Sequence, residues 1–232
     1  MSALLNPLNP RAGGVPVPED PREIDAALRA GRISVRIFPY LDWRYGERGA
    51  KFTRSDSAWL AWLSRHTQQR VNEQIAWLRS VLSNRGMPSW ILETHLLVLY
   101  RQLTRSVSER ESKYRTLFIS ADELRQDRHS RISPEMSRQL VSGFVAAVSQ
   151  GPTFLLSGVA RLLVAAVADE MLGVKYAVLR LTPWLADVSM LRELPHLRVR
   201  LSSRQLRVLG SQAFAERWRK AIEKTVTKAR RI

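Results

Sequence analysis

Apolar residues recur at helical spacing along nearly the whole chain. Val71, Ile75, Leu78 and Leu82 share one stripe. Leu92, Leu96, Leu99, Leu103 and Val107 form a second seam, separated from the first by Asn84-Arg-Gly-Met-Pro88. Gly86 suits a left-handed helix stop and Pro88 the first turn of a following helix, so Thr53–Val107 reads as an antiparallel helical hairpin. Thr53-Arg-Ser-Asp56 has the spelling of a capping box at its start. Within the first helix, Trp59, Trp62, Leu63 and His66 are offset from Val71, Ile75 and Leu78, with a polar run from His66 to Arg70 between them. With no Gly or Pro to kink the helix there, the expectation is one continuous helix whose halves face different partners.

Flanking segments follow the same logic. Asp20-Pro21 opens a short helix to about Ala30, after a Pro- and Gly-rich tail. Ile33–Ile37 and Leu197–Leu201 alternate and predict at most two very short strands. Phe38–Gly49, with Tyr40, Trp43 and Tyr45 interleaved with Arg44 and Arg48, predicts a long aromatic loop. Paired charges at four-residue spacing support a helix over 108–125, followed by a polar loop over 125–131. Ser133-Pro134 starts another helix that Gly151-Pro152 ends. Phe154–Ala168 is the most apolar run, but 15 residues interrupted by Arg161 fall short of a membrane span, which takes about 20. It predicts a buried core helix closed by Gly173. Thr182-Pro183 predicts a helix through Leu194. Capping signals at Ser202–Gln205 and at Ser211 open two final helices. The fold class is therefore all-α, a helical bundle around the hairpin. The expected organisation is a tail and short helix over 1–30, a core over 31–150 and a smaller helical region over 151–232.

Charge changes the picture at the C-terminus. The chain carries a formal +16 at pH 7, and such an excess draws polyanions. Residues 198–232 hold eleven basic and two acidic side chains, whereas 151–197 hold four of each. On the last helix Phe214, Trp218, Ile222 and Val226 form an apolar stripe, and Arg217, Lys220, Lys224, Lys228 and Arg231 line another face. That pattern predicts contact with a polyanion, nucleic acid first, with Arg44 and Arg48 as further contacts. The alternative is an anionic membrane surface touched by Trp218 and the basic face.

Catalytic chemistry has little to stand on. The sequence shows no Gly-rich phosphate loop, no HExxH and no nucleophile elbow. Glu193–His196 has ExxH spelling, which Pro195 disrupts. With no cysteine, thiolate metal sites and thiol nucleophiles are excluded, and a reducing, cytoplasmic setting is expected. His95, inside an apolar helix, is the one candidate ligand for a haem iron, with Tyr40 and Trp43 as candidates for gripping a planar ligand. A non-enzymatic binding or regulatory protein is thus the expectation, with a helical haem-type sensor as its alternative. Self-association through the hairpin is a further expectation.

Overall fold

The computed structural model describes residues 8–9, 11, 14–149, 152–189 and 201–232. It is all-α: the described residues form ten α-helices and one short 3₁₀ turn, and no strand. In order these are α1 (Pro21–Ile37), α2 (Pro39–Leu63), α3 (Gln68–Ser83), α4 (Ser89–Ser106), the 3₁₀ turn Ser108–Arg110, α5 (Glu111–Arg131), α6 (Pro134–Val148), α7 (Thr153–Met171), α8 (Ala177–Ala186), α9 (Ser203–Leu209) and α10 (Gln212–Ala229). The chain divides into two compact units. One comprises Met1–Leu78 and Ile91–Leu124, the other Arg79–Trp90 and Arg125–Ile232.

Several expected boundaries move, each for a local reason. Asp20 caps α1 through the Arg22 amide at 2.9 Å, and the helix then continues through Ile33–Ile37, so the alternation there is one face of a helix rather than a strand. Phe38–Gly49 is not a loop: Pro39 sits in the first turn of α2, and the helix changes direction at Gly46, whose φ of 49° and ψ of −145° are open to glycine. Thr53 therefore lies mid-helix and caps nothing. The expected continuous helix across 66–70 is also corrected, because α2 ends at Leu63 and α3 begins at Gln68. Thr67 holds the new start, its carbonyl accepting from the Val71 amide at 3.0 Å. Residues 125–131 belong to α5, and α8 spans Ala177–Ala186 with Pro183 inside it. Pro183 is tolerated on the exposed side of α8, where water can replace the hydrogen bond it forgoes. Glu193–His196 and Leu197–Arg200 lie outside the described residues.

Other signals hold as read. Gly86 (φ 82°) and Gly173 (φ 96°) both take the left-handed conformation. Behind each, an amide reaches back five residues: Met87 to the Leu82 carbonyl and Val174 to the Asp169 carbonyl, both at 2.9 Å. Ser133, Ser202 and Ser211 cap α6, α9 and α10. The α4 seam is buried throughout. So is most of α7, and no helix among the described residues is long and apolar enough to cross a membrane.

In the first unit, α1 and α2 pack closely through small residues: Ala26, Ala27, Ala30 and Gly31 on one helix, Ser57, Ala58 and Ala61 on the other. A Cβ on Gly31 would stand 3.2 Å from Thr53 Cγ2. Beside this contact Glu23 is wholly buried, yet it accepts from Tyr114 and Arg65 at 2.6 Å each and from Arg110 at 3.1 Å. Burial pushes its carboxyl upward, and those three donors outweigh it, so the group sits below the usual carboxylate range.

In the second unit α10 packs on α6, α7 and α8. Trp218 is fully buried against Phe144 and Phe214 at ring separations of 5.5 and 5.7 Å, and its indole donates to the Leu185 carbonyl at 2.6 Å. Asp169, also buried, ties the start of α4 to α7, accepting from the Ser83 hydroxyl at 2.8 Å and the Ser89 amide at 2.7 Å.

Candidate polyanion-binding face

The candidate site is built by the amphipathic pattern of α10. Phe214, Trp218, Ile222 and Val226 are buried, which fixes the helix's rotation about its axis. Lys220, Lys224 and Lys228 consequently emerge on the opposite side at successive turns, and Arg231 follows just beyond the helix end. All four are exposed. At 1.5 Å per residue the three lysines stand about 6 Å apart along the axis. Among the described residues none of the four has an acidic partner within ion-pair distance. Two acids, Glu216 and Glu223, are exposed on the same helix and temper the field.

The remaining α10 arginines are differently placed. Arg217 is half-buried, with its Nε donating to the Val148 carbonyl at 3.4 Å. Arg230 pairs with Glu170 at 2.6 Å. Arg219 and Arg230 border an apolar groove of about 480 Å³ between α8 and α10, floored by Val178, Ile222 and Val226.

In the first unit the aromatic candidates serve one another. Tyr40 is buried, and Arg44 donates to its hydroxyl while lying over the Tyr45 ring at 4.9 Å. Burial raises the Tyr40 hydroxyl well above its ordinary pKa. Trp43 is half-buried. Arg48 remains exposed, over Phe52 at 6.0 Å.

His95 is a core residue. Its Nδ1 lies 2.8 Å from the Ser34 hydroxyl and its Nε2 lies 3.1 Å from that of Ser57. Both nitrogens are thus engaged in the interior, and an iron at His95 would have to displace one of these hydroxyls. Burial pushes the ring down to about 4, so it is neutral at physiological pH. Trp218, the ring expected to meet a membrane, is equally withdrawn from the surface.

Sequence reading missed one feature. Trp59, Trp62 and Trp77, counted there with the core or passed over, remain partly or largely exposed. The signal was available: ring residues on the polar side of a helix whose aliphatic stripe is already complete.

Comparison with protein-family models, with curated proteins and with solved structures returns no match.

Proposed function

We propose that this chain is a non-enzymatic binding protein that grips a polyanion, nucleic acid first, through Lys220, Lys224, Lys228 and Arg231. The observation that carries the reading is their shared exposure, without acidic partners among the described residues, on a helix locked in place by Trp218. Unpaired cations in a row are cheap to bring to phosphates, since no internal ion pair has to break first. The formal charge of +16 supports the same partner class at long range. A cytoplasmic setting belongs to this proposal, because nucleic acid is abundant there. Arg217 contributes little in this reading, being already committed to a carbonyl.

The test is the salt dependence of binding to a labelled duplex. Replacing Lys220, Lys224 and Lys228 together by Gln should flatten the slope of log affinity against log salt by about 2–3, one lost phosphate contact per lysine. An unchanged slope, or wild-type protein that binds no nucleic acid near physiological salt, overturns the reading. Anionic vesicles run alongside separate nucleic acid from a membrane surface: binding to vesicles alone would reassign the same face.

A further inference from the structure

Residues at the α2–α3 junction form an aromatic surface that the α10 face does not use. Phe52, Trp59, Trp62 and His66 follow one another at seven, three and four residues, along one side of α2 and just past its end. Their aliphatic neighbours Leu60 and Leu63 are buried, whereas Phe52, Trp59 and Trp62 each keep part of their ring at the surface. The end of α2 at Leu63 lets α3 turn back so that Trp77 meets Trp59 edge-to-face at 6.4 Å. Trp62 and His66 lie in contact, ring centroids 4.5 Å apart and planes tilted by 56°. Trp77 is 57% exposed and His66 is exposed as well. A tryptophan left so open, joined to further rings, is the sort of contiguous patch that marks a binding surface rather than a scattered apolar residue.

The chemistry of the patch identifies the partner class. Its large apolar side chains are all rings, which offer π-faces to planar groups and little of the aliphatic surface that an acyl chain or a Leu-rich helix would seek. Exposed cations stand with them. Arg48 lies over Phe52, and Arg70, two turns before Trp77 on α3, holds the intervening Glu73 across an exposed 3.5 Å pair, weak enough to exchange for a phosphate. Rings for bases together with cations for the backbone are what a single-stranded nucleic acid needs. A duplex keeps its bases stacked on one another and cannot use the rings.

We infer that Trp77, Trp62 and His66 form a stacking platform for unpaired bases, so that the chain prefers single-stranded over duplex nucleic acid. This extends the polyanion reading above to a second site and rests on it for the nature of the partner.

The test compares two probes of equal charge: an oligothymidine of about 20 nucleotides and an abasic oligomer of the same length. Wild-type protein should favour the oligothymidine. Trp77→Ala should weaken that binding by about 5- to 100-fold while leaving abasic binding and the salt slope unchanged. Trp77→Phe should retain most of the preference, and the exposure of Trp77 keeps both variants folded, which circular dichroism verifies. Equal affinity of wild type for the two probes, or no effect of Trp77→Ala on oligothymidine, overturns the inference. So does a wild-type dimer, seen by sedimentation, that Trp77→Ala dissociates without any preference for bases; the patch would then belong to a second copy. The lysine variants bear on the salt slope and the Trp77 variants on the preference for bases, so each proposal can fail by itself.

Discussion

Ser57 sets the tautomer of His95. The Ser57 hydroxyl donates its proton to the Thr53 carbonyl at 2.6 Å, so its oxygen can only accept from the imidazole Nε2, 3.1 Å away. His95 therefore carries its hydrogen on Nε2, and Nδ1 accepts from the Ser34 hydroxyl at 2.8 Å. One ring in α4 thus joins α1 and α2, both of which present small residues at the contact. Ser57 is able to do this because its hydroxyl reaches back one turn, as serine does inside a helix.

The first prediction follows from that neutral ring. His95 has an ordinary pKa of 6.5 and is held down to about 4 in the folded protein, so between those values the unfolded chain binds more protons. Stability should fall as pH drops from about 6.5 toward 4, by on the order of 3 kcal/mol for this group alone. Glu23, lowered by its three donors, adds a further loss at more acidic pH, below its ordinary 4.5. Denaturant midpoints measured across this range should show the decline. His95→Gln, which keeps hydrogen bonding but cannot titrate, should remove most of the part above pH 4.5. A histidine variant with an unchanged pH profile would mean that the ring is not buried as described.

A second prediction concerns the bend in α2. Gly46 has φ 49° with ψ −145°, a combination that L side chains rarely adopt. Gly46→Ala should destabilise by about 1–3 kcal/mol although no neighbour stands within 4 Å of the added carbon. Gly49 acts by a different mechanism: an added Cβ would fall 2.3 Å from Tyr45 Cβ. Gly143 offers the control, with neither a left-handed φ nor a close neighbour. Gly143→Ala, in exposed helix, should be neutral or stabilise by up to about 1 kcal/mol. Equal effects at Gly46 and Gly143 would remove the strain argument.

These positions also show what the sequence could and could not reveal. Side chains that act on their own backbone were readable: Ser133, Ser202 and Ser211 as caps, Gly86 and Gly173 as stops. The buried seam of α4 and the core character of α7 were likewise visible from periodicity. Phe38–Gly49 misled because Pro39 and two glycines read as a loop, whereas Pro39 serves as a helix start and Gly46 interrupts the helical backbone at one residue only, with helix on both sides. Thr53–Asp56 misled in the opposite way, since Thr-x-x-Asp also arises by chance inside a helix. The end of α2 was hidden because the helix stops at Ser64–Thr67 with neither Gly nor Pro. The α10 face was legible from spacing alone. Whether its apolar stripe faced the core or a membrane depended on partners from α6, α7 and α8, far away in sequence. The same holds for Trp77, whose exposure depends on what does not cover it.

The last prediction tests the two faces of α10 against each other. Trp218 fills the interior between Phe144 and Phe214 and satisfies the Leu185 carbonyl, so Trp218→Ala removes a large buried ring and leaves that carbonyl without its donor. The cost should be about 3–5 kcal/mol, read as a lower denaturant midpoint at unchanged slope. Trp218→Phe keeps most of the packing and loses the hydrogen bond, and should fall between this variant and wild type. The lysines on the far side carry no such load. Lys220, Lys224 and Lys228 exchanged together for Gln should move stability by less than about 0.5 kcal/mol each, and relief of repulsion along the row could make the change favourable. The contrast separates a helix that presents charge from one that is merely solvated at its rim. If the triple variant unfolded the protein as Trp218→Ala does, the lysines would be structural and the binding face would have to be sought elsewhere.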